Sequence, residues 1–271
     1  MARPITFLSD YGYADEFAGV CRAVIARIAP DAEVIDLTHG IRRHAVAEGA
    51  AVLARALPYA APGIHLAVVD PGVGSERRAV AVRTREDDRI LVGPDNGLLA
   101  PAIERFGGAL AAADVSLSPF RLEPVSATFH GRDVFAPVAA RLAIGETLVD
   151  AGEAVDPGLL VALEGQQEPR VQEGKVVAHV VYVDRYGNAA LDLSHEQIPE
   201  TGLRLGRRLR VRAGGGAARD AVYGLTFGDA GAGELILYED SYRVLGLAVN
   251  RGSAAEALGL EPGTEITLEA A

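Results

Sequence analysis

A carboxylate, a guanidinium and an imidazole stand in two glycine-flanked segments of this 271-residue chain. Asp70 follows the apolar run HLAVV, and His130 lies in TFHGRD. Two adjacent arginines, Arg77 and Arg78, end the intervening segment DPGVGSERR. If these groups are hydrogen-bonded to one another, they can hold a water molecule and accept its proton. A structural ion pair beside a core histidine is the alternative that the residue types leave open.

Two further loops, SDYGYAD and DLTHG, place polar side chains after predicted strands. Asp10 could bind the two hydroxyls of a ribose, or it could cap a turn through backbone N–H groups. Asp15 is equally suited to cap the first helix. His39 is more typical of a hydrogen-bonded structural residue than of a ligand, whereas His44 could face the same pocket as these loops.

The second half of the chain offers one comparable cluster, in VDRYGNAALD. Asp184, Tyr186 and Asn188 alternate there, so an extended strand would show all three on one face. An acid, an aromatic ring and an amide on one face suit recognition of an aminoacyl group and a purine. A β-hairpin turn built on Tyr-Gly-Asn is the alternative. EDSYR and VNRGSAAEA are further candidate binding loops.

Composition and missing motifs argue against several classes of function. The net charge of −11 argues against nucleic acid as a partner, since phosphate binding draws on a basic surface. The single cysteine, Cys21, lies in an apolar helical pattern and excludes an intrachain disulfide. No HxH, HExxH, CxxC, phosphate-binding loop or G-x-S-x-G pattern occurs, so we expect no metal and no bound cofactor. No secretory or membrane-spanning pattern is present, which predicts a cytoplasmic protein.

The candidate loops need a scaffold that brings strand ends together. Strand and helix patterns alternate, with strands predicted at 5–9, 33–37, 65–69, 79–84 and 89–93, and helices at 16–28, 45–59, 96–107 and 133–145. This alternation predicts an α/β fold for an N-terminal domain over 1–165, a mainly parallel sheet flanked by helices. In such sheets ligands bind outside the carboxyl ends of the strands, where Asp10 and Asp70 lie.

A polar segment at 164–175 is predicted to link this domain to a second one. Beyond it, short apolar runs separated by glycine turns predict a smaller, all-β, barrel-like C-terminal domain over 172–271. One short helix is predicted at 253–259, where Ser253 and Glu256 make a capping-box pattern.

Seven segments in this order resemble the S-adenosyl-L-methionine (SAM) hydroxide adenosyltransferases, relatives of the fluorinating and chlorinating SAM halogenases. The segments are FLSDYGYADEFAG, IDLTHGI with the following AEGA, VVDPGVGSERRAVAV, GPDNGLL, TFHGRDVFAP, VDRYGN and VNRGSAAEALG. The resemblance implies hydrolysis of SAM to adenosine and L-methionine. It also implies a homotrimer, with each site between the N-terminal domain of one subunit and the C-terminal domain of a neighbour.

The resemblance also implies roles for individual residues. The catalytic set of the family falls on Asp70, Arg77 and His130, although the adjacent Arg78 leaves a one-residue ambiguity. The implied substrate-binding residues are Asp10 for the ribose, Asp15, Asp184 and Ser241 for the methionine part, and Tyr186, Asn188 and the main chain near Asn250 for adenine.

Two positions separate this chain from the halogenases that it resembles. The halogenases carry a tyrosine before a proline where this chain has Asp70, and a tyrosine in an aromatic pair where it has His130. A carboxylate repels a halide anion but accepts a proton from water, so these residues favour water as the nucleophile. A halide-using transferase and a SAM- or adenosine-binding protein without catalysis remain as alternatives.

Overall fold

The computed structural model describes residues 2–165, 167–172 and 175–270. The chain divides into two compact units, 1–164 and 165–271. Within the predicted linker, residues 166, 173 and 174 lie outside the described ranges, and Arg170–Gln172 forms a short strand. No helix in the described ranges has the length and apolar character that crossing a membrane requires.

The N-terminal unit is built on one seven-stranded sheet. Its strands are β1 Ile5–Ser9, β2 Val34–Thr38, β3 Ile64–Val68, β4 Ala79–Thr84, β5 Ile90–Pro94, β6 Ala109–Asp114 and β7 Glu153–Val155. They lie in the order β2-β1-β3-β5-β4-β6-β7, and the first four are mutually parallel. β4, β6 and β7 continue the sheet with antiparallel pairing, so five strands run one way and two the other.

Helices cover this sheet, as the alternating pattern predicts. They are α1 Phe17–Ile28, α2 Val46–Ala56, α3 Ala100–Arg105, α4 Ala136–Ala143 and α5 Leu148–Ala151. β1 and β3 are buried along their whole length, which is typical of central parallel strands with helices on both faces. Phe7 of β1, Ile25 of α1 and Leu142 of α4 belong to one buried core cluster.

Several helices are shorter in the structure than the sequence predicts. Prolines that lack an N–H group, or hydrogen bonds from outside the helix, interrupt the regular backbone hydrogen bonds. The predicted helix 133–145 begins as one wide turn over Gly131–Phe135 and becomes α-helical only as α4. Pro137 has no N–H to donate, and the carbonyl of Asp133 instead accepts a hydrogen bond from Leu122 N at 2.8 Å. The predicted helix 45–59 likewise ends as α2 at Ala56, before a 3-10 turn that contains Pro58.

The C-terminal unit is a closed β-barrel. Its strands are β8 Arg170–Gln172, β9 Lys175–Val183, β10 Ala189–Ser194, β11 Arg208–Ala213, β12 Arg219–Tyr223, β13 Leu235–Glu239, β14 Val244–Val249 and β15 Glu265–Ala270. Seven of them close in the order β10-β14-β13-β12-β11-β15-β9, and β9 pairs again with β10. β8 extends the sheet beside β9.

Two short helices, α6 Ile198–Thr201 and α7 Ala254–Leu258, accompany the barrel. Ser253 caps α7 by accepting a hydrogen bond from Glu256 N at 3.0 Å, as the sequence predicts. Leu191, Leu247 and Leu268 belong to the buried cluster inside the barrel.

A buried histidine in β3 makes the stability of the N-terminal unit sensitive to acid. The Oγ1 of Thr6 lies 2.8 Å from His65 Nδ1, and Arg89 donates to His65 Nε2 at 3.2 Å. Burial, reinforced by the Arg89 charge, lowers the pKa of His65 to about 3. The native state therefore holds this imidazole neutral, whereas the unfolded chain protonates it near pH 6.5.

We expect the contribution of His65 to stability to be present above pH 6.5 and to be lost as the pH falls toward 3. Because one proton is involved, its share of the slope is at most about 1.4 kcal/mol per pH unit. Urea unfolding at several pH values should show a shallower decline for His65→Gln than for the parent chain. Equal slopes for the two proteins would contradict the assignment.

Candidate active site

One open cavity of about 460 Å³ lies at the carboxyl ends of β1 and β3. Its lining residues, all in the N-terminal unit, are Asp10, Tyr11, Asp15, Phe17, Arg43, His44, Asp70, Val73, Thr128, His130 and Gly131. This is the edge of the sheet at which the sequence places the candidate loops. Four predicted site residues, Asp10, Asp15, Asp70 and His130, meet in this cavity.

Asp70, Arg77 and His130 form one hydrogen-bonded network at this cavity. Arg77 Nε donates to Asp70 Oδ1 at 2.9 Å, and the Nη2 group of Arg77 contacts Asp70 Oδ2. Nη2 also donates to Nδ1 of His130 at 3.0 Å. The side chains of Arg77 and Asp70 are only 11% and 6% exposed. The pairing is therefore bidentate and shielded, the geometry in which an arginine–carboxylate pair is strongest.

The glycines around this network allow its two segments to approach each other. Gly74 has φ of 78°, and a Cβ at that position would lie 2.5 Å from the carbonyl oxygen of Ala127. Only glycine combines this backbone conformation with so close an approach. The loop that carries Asp70 and Arg77 therefore rests directly on the segment that leads to His130.

The hydrogen bond from Arg77 determines which nitrogen of His130 carries the proton. A guanidinium only donates, so Nδ1 accepts and the neutral ring carries its hydrogen on Nε2. Burial lowers the pKa of His130, and the Arg77 charge lowers it further, while Asp70 and Asp133 oppose this shift. A neutral His130 can therefore donate a hydrogen bond from Nε2, and Asp70 is the proton acceptor that remains in the network.

The structure resolves the ambiguity between the two adjacent arginines. Arg78 leaves the network and pairs with Asp95 at 2.7 Å. Asp95 also accepts a hydrogen bond from Val161 N at 2.8 Å, which ties this pair to a separate part of the unit. Arg77 is therefore the arginine of the candidate catalytic set.

Asp10 is held by one carboxylate oxygen to a loop that is distant in the sequence, rather than capping a turn of its own segment. Its Oδ2 accepts a hydrogen bond from the backbone N–H of His44 at 2.9 Å. Nothing in the described part of the chain donates to its Oδ1, so one oxygen of this cavity-lining carboxylate is available for a ligand. His44 has φ of 65°, an unusual conformation for a residue other than glycine, so its backbone is shaped around Asp10.

Asp15 and His39 differ in their place relative to the cavity. Asp15 lines it but does not cap α1, whose N-terminal flanking residue is Glu16 and has no side-chain cap. His39 is fully buried, with Nδ1 2.7 Å from Ser9 Oγ and Nε2 3.3 Å from Asp36 Oδ1. Burial lowers the pKa of His39, so it acts as a neutral structural residue.

Tyr11 is a cavity residue that the sequence analysis missed. Its ring packs against Phe17 and Phe129, and a Cβ at Gly131 would overlap its hydroxyl. Burial raises the pKa of Tyr11 well above the ordinary value, so the hydroxyl stays protonated and can donate. The only signal in the sequence is its position directly after Asp10.

Of the two alternatives that the sequence left open for residues 184–188, the structure shows the β-hairpin turn, which joins the antiparallel strands β9 and β10, and not the strand face. Oδ1 of Asp184 accepts hydrogen bonds from the backbone N–H groups of Tyr186 at 2.8 Å and Asn188 at 2.9 Å. Oδ2 of Asp184 accepts from Asn188 Nδ2, also at 2.9 Å. A carboxylate that binds backbone N–H groups two and four residues ahead stabilises a turn better than an extended strand.

The remaining candidates lie in loops of the same C-terminal unit. Asn250 follows β14 and donates from Nδ2 to the carbonyl of Ala230 at 2.7 Å. Ser241 lies in the turn between β13 and β14. The turn at 184–188 contacts the start of α7, where Ala255 N donates to the carbonyl of Gly187 at 2.9 Å. Tyr186 is 69% exposed, and the guanidinium carbon of Arg185 lies 5.4 Å from the centre of its ring.

Family models match both units. Residues 5–152 match the SAM hydroxide adenosyltransferase N-terminal domain, and residues 178–267 match the SAM hydroxide adenosyltransferase C-terminal domain. The chain belongs to this family.

Named relatives of this SAM hydroxide adenosyltransferase cover nearly the whole chain. An (R)-S-adenosyl-L-methionine hydrolase from Salinispora tropica is 46% identical over 98% of this chain and 97% of its own. One from Thermus thermophilus is 38% identical over 98% and 99%. A fluorinase from Nocardia brasiliensis is more distant, at 27% identity over 98% and 97%.

A solved structure matches the same length of chain. An uncharacterized conserved protein from Thermotoga maritima matches with a TM-score of 0.90 and 35% identity, covering 98% of this chain and 99% of that one.

The charge balance around His130 can be measured directly. In Arg77→Gln, the loss of the neighbouring cation leaves Asp70 to raise the pKa of His130, so this pKa should increase. A pH titration of the His130 ring nitrogens by NMR gives the value, and the parent chain should show the Nε2-protonated tautomer. Arg78→Gln is the matched control and should leave the titration unchanged. A His130 pKa that is unaffected by Arg77→Gln would contradict the hydrogen-bonded network.

Proposed function

We propose that this SAM hydroxide adenosyltransferase hydrolyses SAM to adenosine and L-methionine by in-line attack of water on the ribose C5′. The observation that carries the proposal is the Asp70–Arg77–His130 network at the cavity. The names of the relatives support the choice of substrate. SAM is the substrate itself, and the proposal needs no other cofactor and no metal.

The cavity suits a cationic ligand. SAM carries a sulfonium and an ammonium against one carboxylate. Of the charged residues that line the cavity, Asp70 is neutralised by Arg77, which leaves Asp10 and Asp15 against the single cation Arg43. The available Oδ1 of Asp10 can accept a hydrogen bond from a ribose hydroxyl. Asp15, the other acid of the cavity lining that Arg77 does not neutralise, would bind the ammonium group.

We propose that the protein is a cytoplasmic homotrimer. In this homotrimer the turns of the C-terminal domain would complete the substrate contacts. Tyr186 and Asn188 would bind adenine together with the main chain near Asn250, and Ser241 would bind the methionine part. Asp184 already accepts three hydrogen bonds. One lone pair of its Oδ2 remains for an ammonium, so its first role is to shape the turn.

Energetics favour loss of the water proton during attack. Preformed hydroxide at pH 7 costs about 12 kcal/mol relative to bulk water. At an effective dielectric constant of about 20, one arginine at contact distance stabilises a hydroxide by about 4 kcal/mol, and the charge of Arg77 is already neutralised by Asp70. We therefore infer that His130 Nε2–H orients the water, and that Asp70 takes its proton as the C5′–O bond forms.

The decisive test is incubation of the protein with SAM in ¹⁸O-labelled water. We expect adenosine with the label on the C5′ oxygen, together with unlabelled methionine. Asp70→Asn, Arg77→Gln and His130→Ala should each lower kcat by roughly 100-fold or more, the size of a lost general acid–base contribution. Calorimetry should show that SAM binding is largely kept, because these groups act on water.

Arg78→Gln serves again as the control and should retain kcat. SAM binding without consumption by the parent chain would identify a binding protein instead. Formation of a halogenated nucleoside in the presence of halide would identify a halide-using transferase. Unchanged turnover in the three variants would remove the catalytic roles assigned to them.

The names of the two hydrolase relatives specify the (R) epimer at sulfur, and we propose the same preference for this protein. In-line attack needs the sulfur–C5′ bond aligned with the bound water, and only one epimer can satisfy this while its amino-acid end reaches the binding acids. Separate kinetics on the two purified epimers should give a higher kcat/KM for (R)-SAM. Equal values, or a higher value for the (S) epimer, would contradict this preference.

A further inference from the structure

A short segment of the C-terminal unit concentrates positive charge in an acidic chain. Residues 204–212, with the sequence RLGRRLRVR, contain five arginines and no acid, whereas the chain as a whole carries a net charge of −11. The segment includes β11 and the loop before it. Such a local excess of one charge sign creates a potential that attracts anions.

Three of these arginines surround an open cleft of about 540 Å³. The residues that line it are Gly202, Leu203, Arg204, Gly206, Arg207, Arg208, Leu209, Tyr223 and Ala270. No carboxylate side chain is among them. The cleft therefore combines three guanidinium groups with apolar walls from Leu203, Leu209 and Tyr223.

These arginines differ from the paired arginines of the N-terminal unit. Arg77 and Arg78 each bind an aspartate. Over the part of the chain that the structure describes, Arg204, Arg207 and Arg208 form no ion pair and no side-chain hydrogen bond. Like charges gathered without a counter-charge repel one another, and an anion bound between them would relieve that repulsion.

The backbone around the cleft is fixed by the barrel. Gly206 N donates to the carbonyl of Tyr223 at 2.7 Å, and Tyr223 N donates to the carbonyl of Arg207 at 2.9 Å. Arg207 N donates in turn to the carbonyl of Arg204 at 3.1 Å. The loop is therefore pinned to the end of β12, and the arginine Cα positions are preorganised.

We propose that this cleft binds a small anion of the di- or triphosphate class. Guanidinium groups match phosphate oxygens with paired hydrogen bonds, and three cations suit the three to four charges of such a ligand. A longer polyanion is disfavoured, because the basic track is interrupted along β11. Arg210 stands opposite Asp220 on β12 and Glu269 on β15.

The test is calorimetric titration of the full chain with inorganic pyrophosphate and with tripolyphosphate at low ionic strength. We expect saturable binding that Arg207→Gln and Arg208→Gln each weaken by roughly tenfold, since each removes a charged hydrogen bond. Arg212→Gln is the matched control, an exposed arginine on the same strand that does not line the cleft. It should change the affinity less than about twofold, the size of a screened surface effect.

Three outcomes would overturn the proposal. The first is that the folded parent chain binds neither phosphate. The second is that Arg212→Gln weakens phosphate binding as much as Arg207→Gln does. The third is that a single-stranded oligonucleotide or an anionic vesicle binds more tightly than tripolyphosphate. Circular dichroism establishes that each variant is folded before it is titrated. Asp70→Asn should bind the phosphates as the parent chain does, which separates this cleft from the proposed hydrolase site.

Discussion

The bidentate pair between Asp70 and Arg77 is the interaction on which the rest of the N-terminal site depends. It neutralises a carboxylate that is only 6% exposed, and the same guanidinium holds His130 by its Nδ1 atom. Removing one partner of a buried pair costs about 3–5 kcal/mol, because the other charge is left without compensation. One arginine thus orients both neighbouring groups and fixes the tautomer of His130, and its charge lowers the His130 pKa.

The N-terminal sheet brings segments that are distant in the chain together at one of its edges, where this pair lies. The parallel strands β1 and β3 end side by side, so the residues that follow them, Asp10 and Asp70, open into one cavity. His130 arrives from a third segment, whose wide turn at Gly131–Phe135 begins directly after it. Arg77 also lies 5.2 Å from the centre of the Phe135 ring, which ties the guanidinium to the same turn. The irregular turn of the backbone therefore lies next to the candidate catalytic residues, and such helical bulges often occur at functional sites.

The strands and helices, which follow from the periodicity of apolar residues, were predictable from the sequence. The contacts that depend on which of several side chains binds a given partner were not. The strands from Ile5 to Pro94 follow from apolar runs and from their alternation with helices. The choice between Arg77 and Arg78 requires the three-dimensional structure, because these adjacent arginines bind different partners, Asp70 and Asp95. At Asp184 the sequence allowed either a strand or a hairpin turn, and the turn forms because the carboxylate binds local backbone N–H groups.

The contact between Tyr11 and Gly131 couples two positions that lie far apart in the chain. A side chain at position 131 would occupy the space of the Tyr11 hydroxyl, so Gly131 cannot become larger unless Tyr11 moves or becomes smaller. A lineage that replaced Gly131 by a larger residue would first have to shrink or move the phenol at position 11. Substitution at position 131 is therefore epistatic with position 11, and the order of the two mutations decides whether the intermediate protein has room for both side chains.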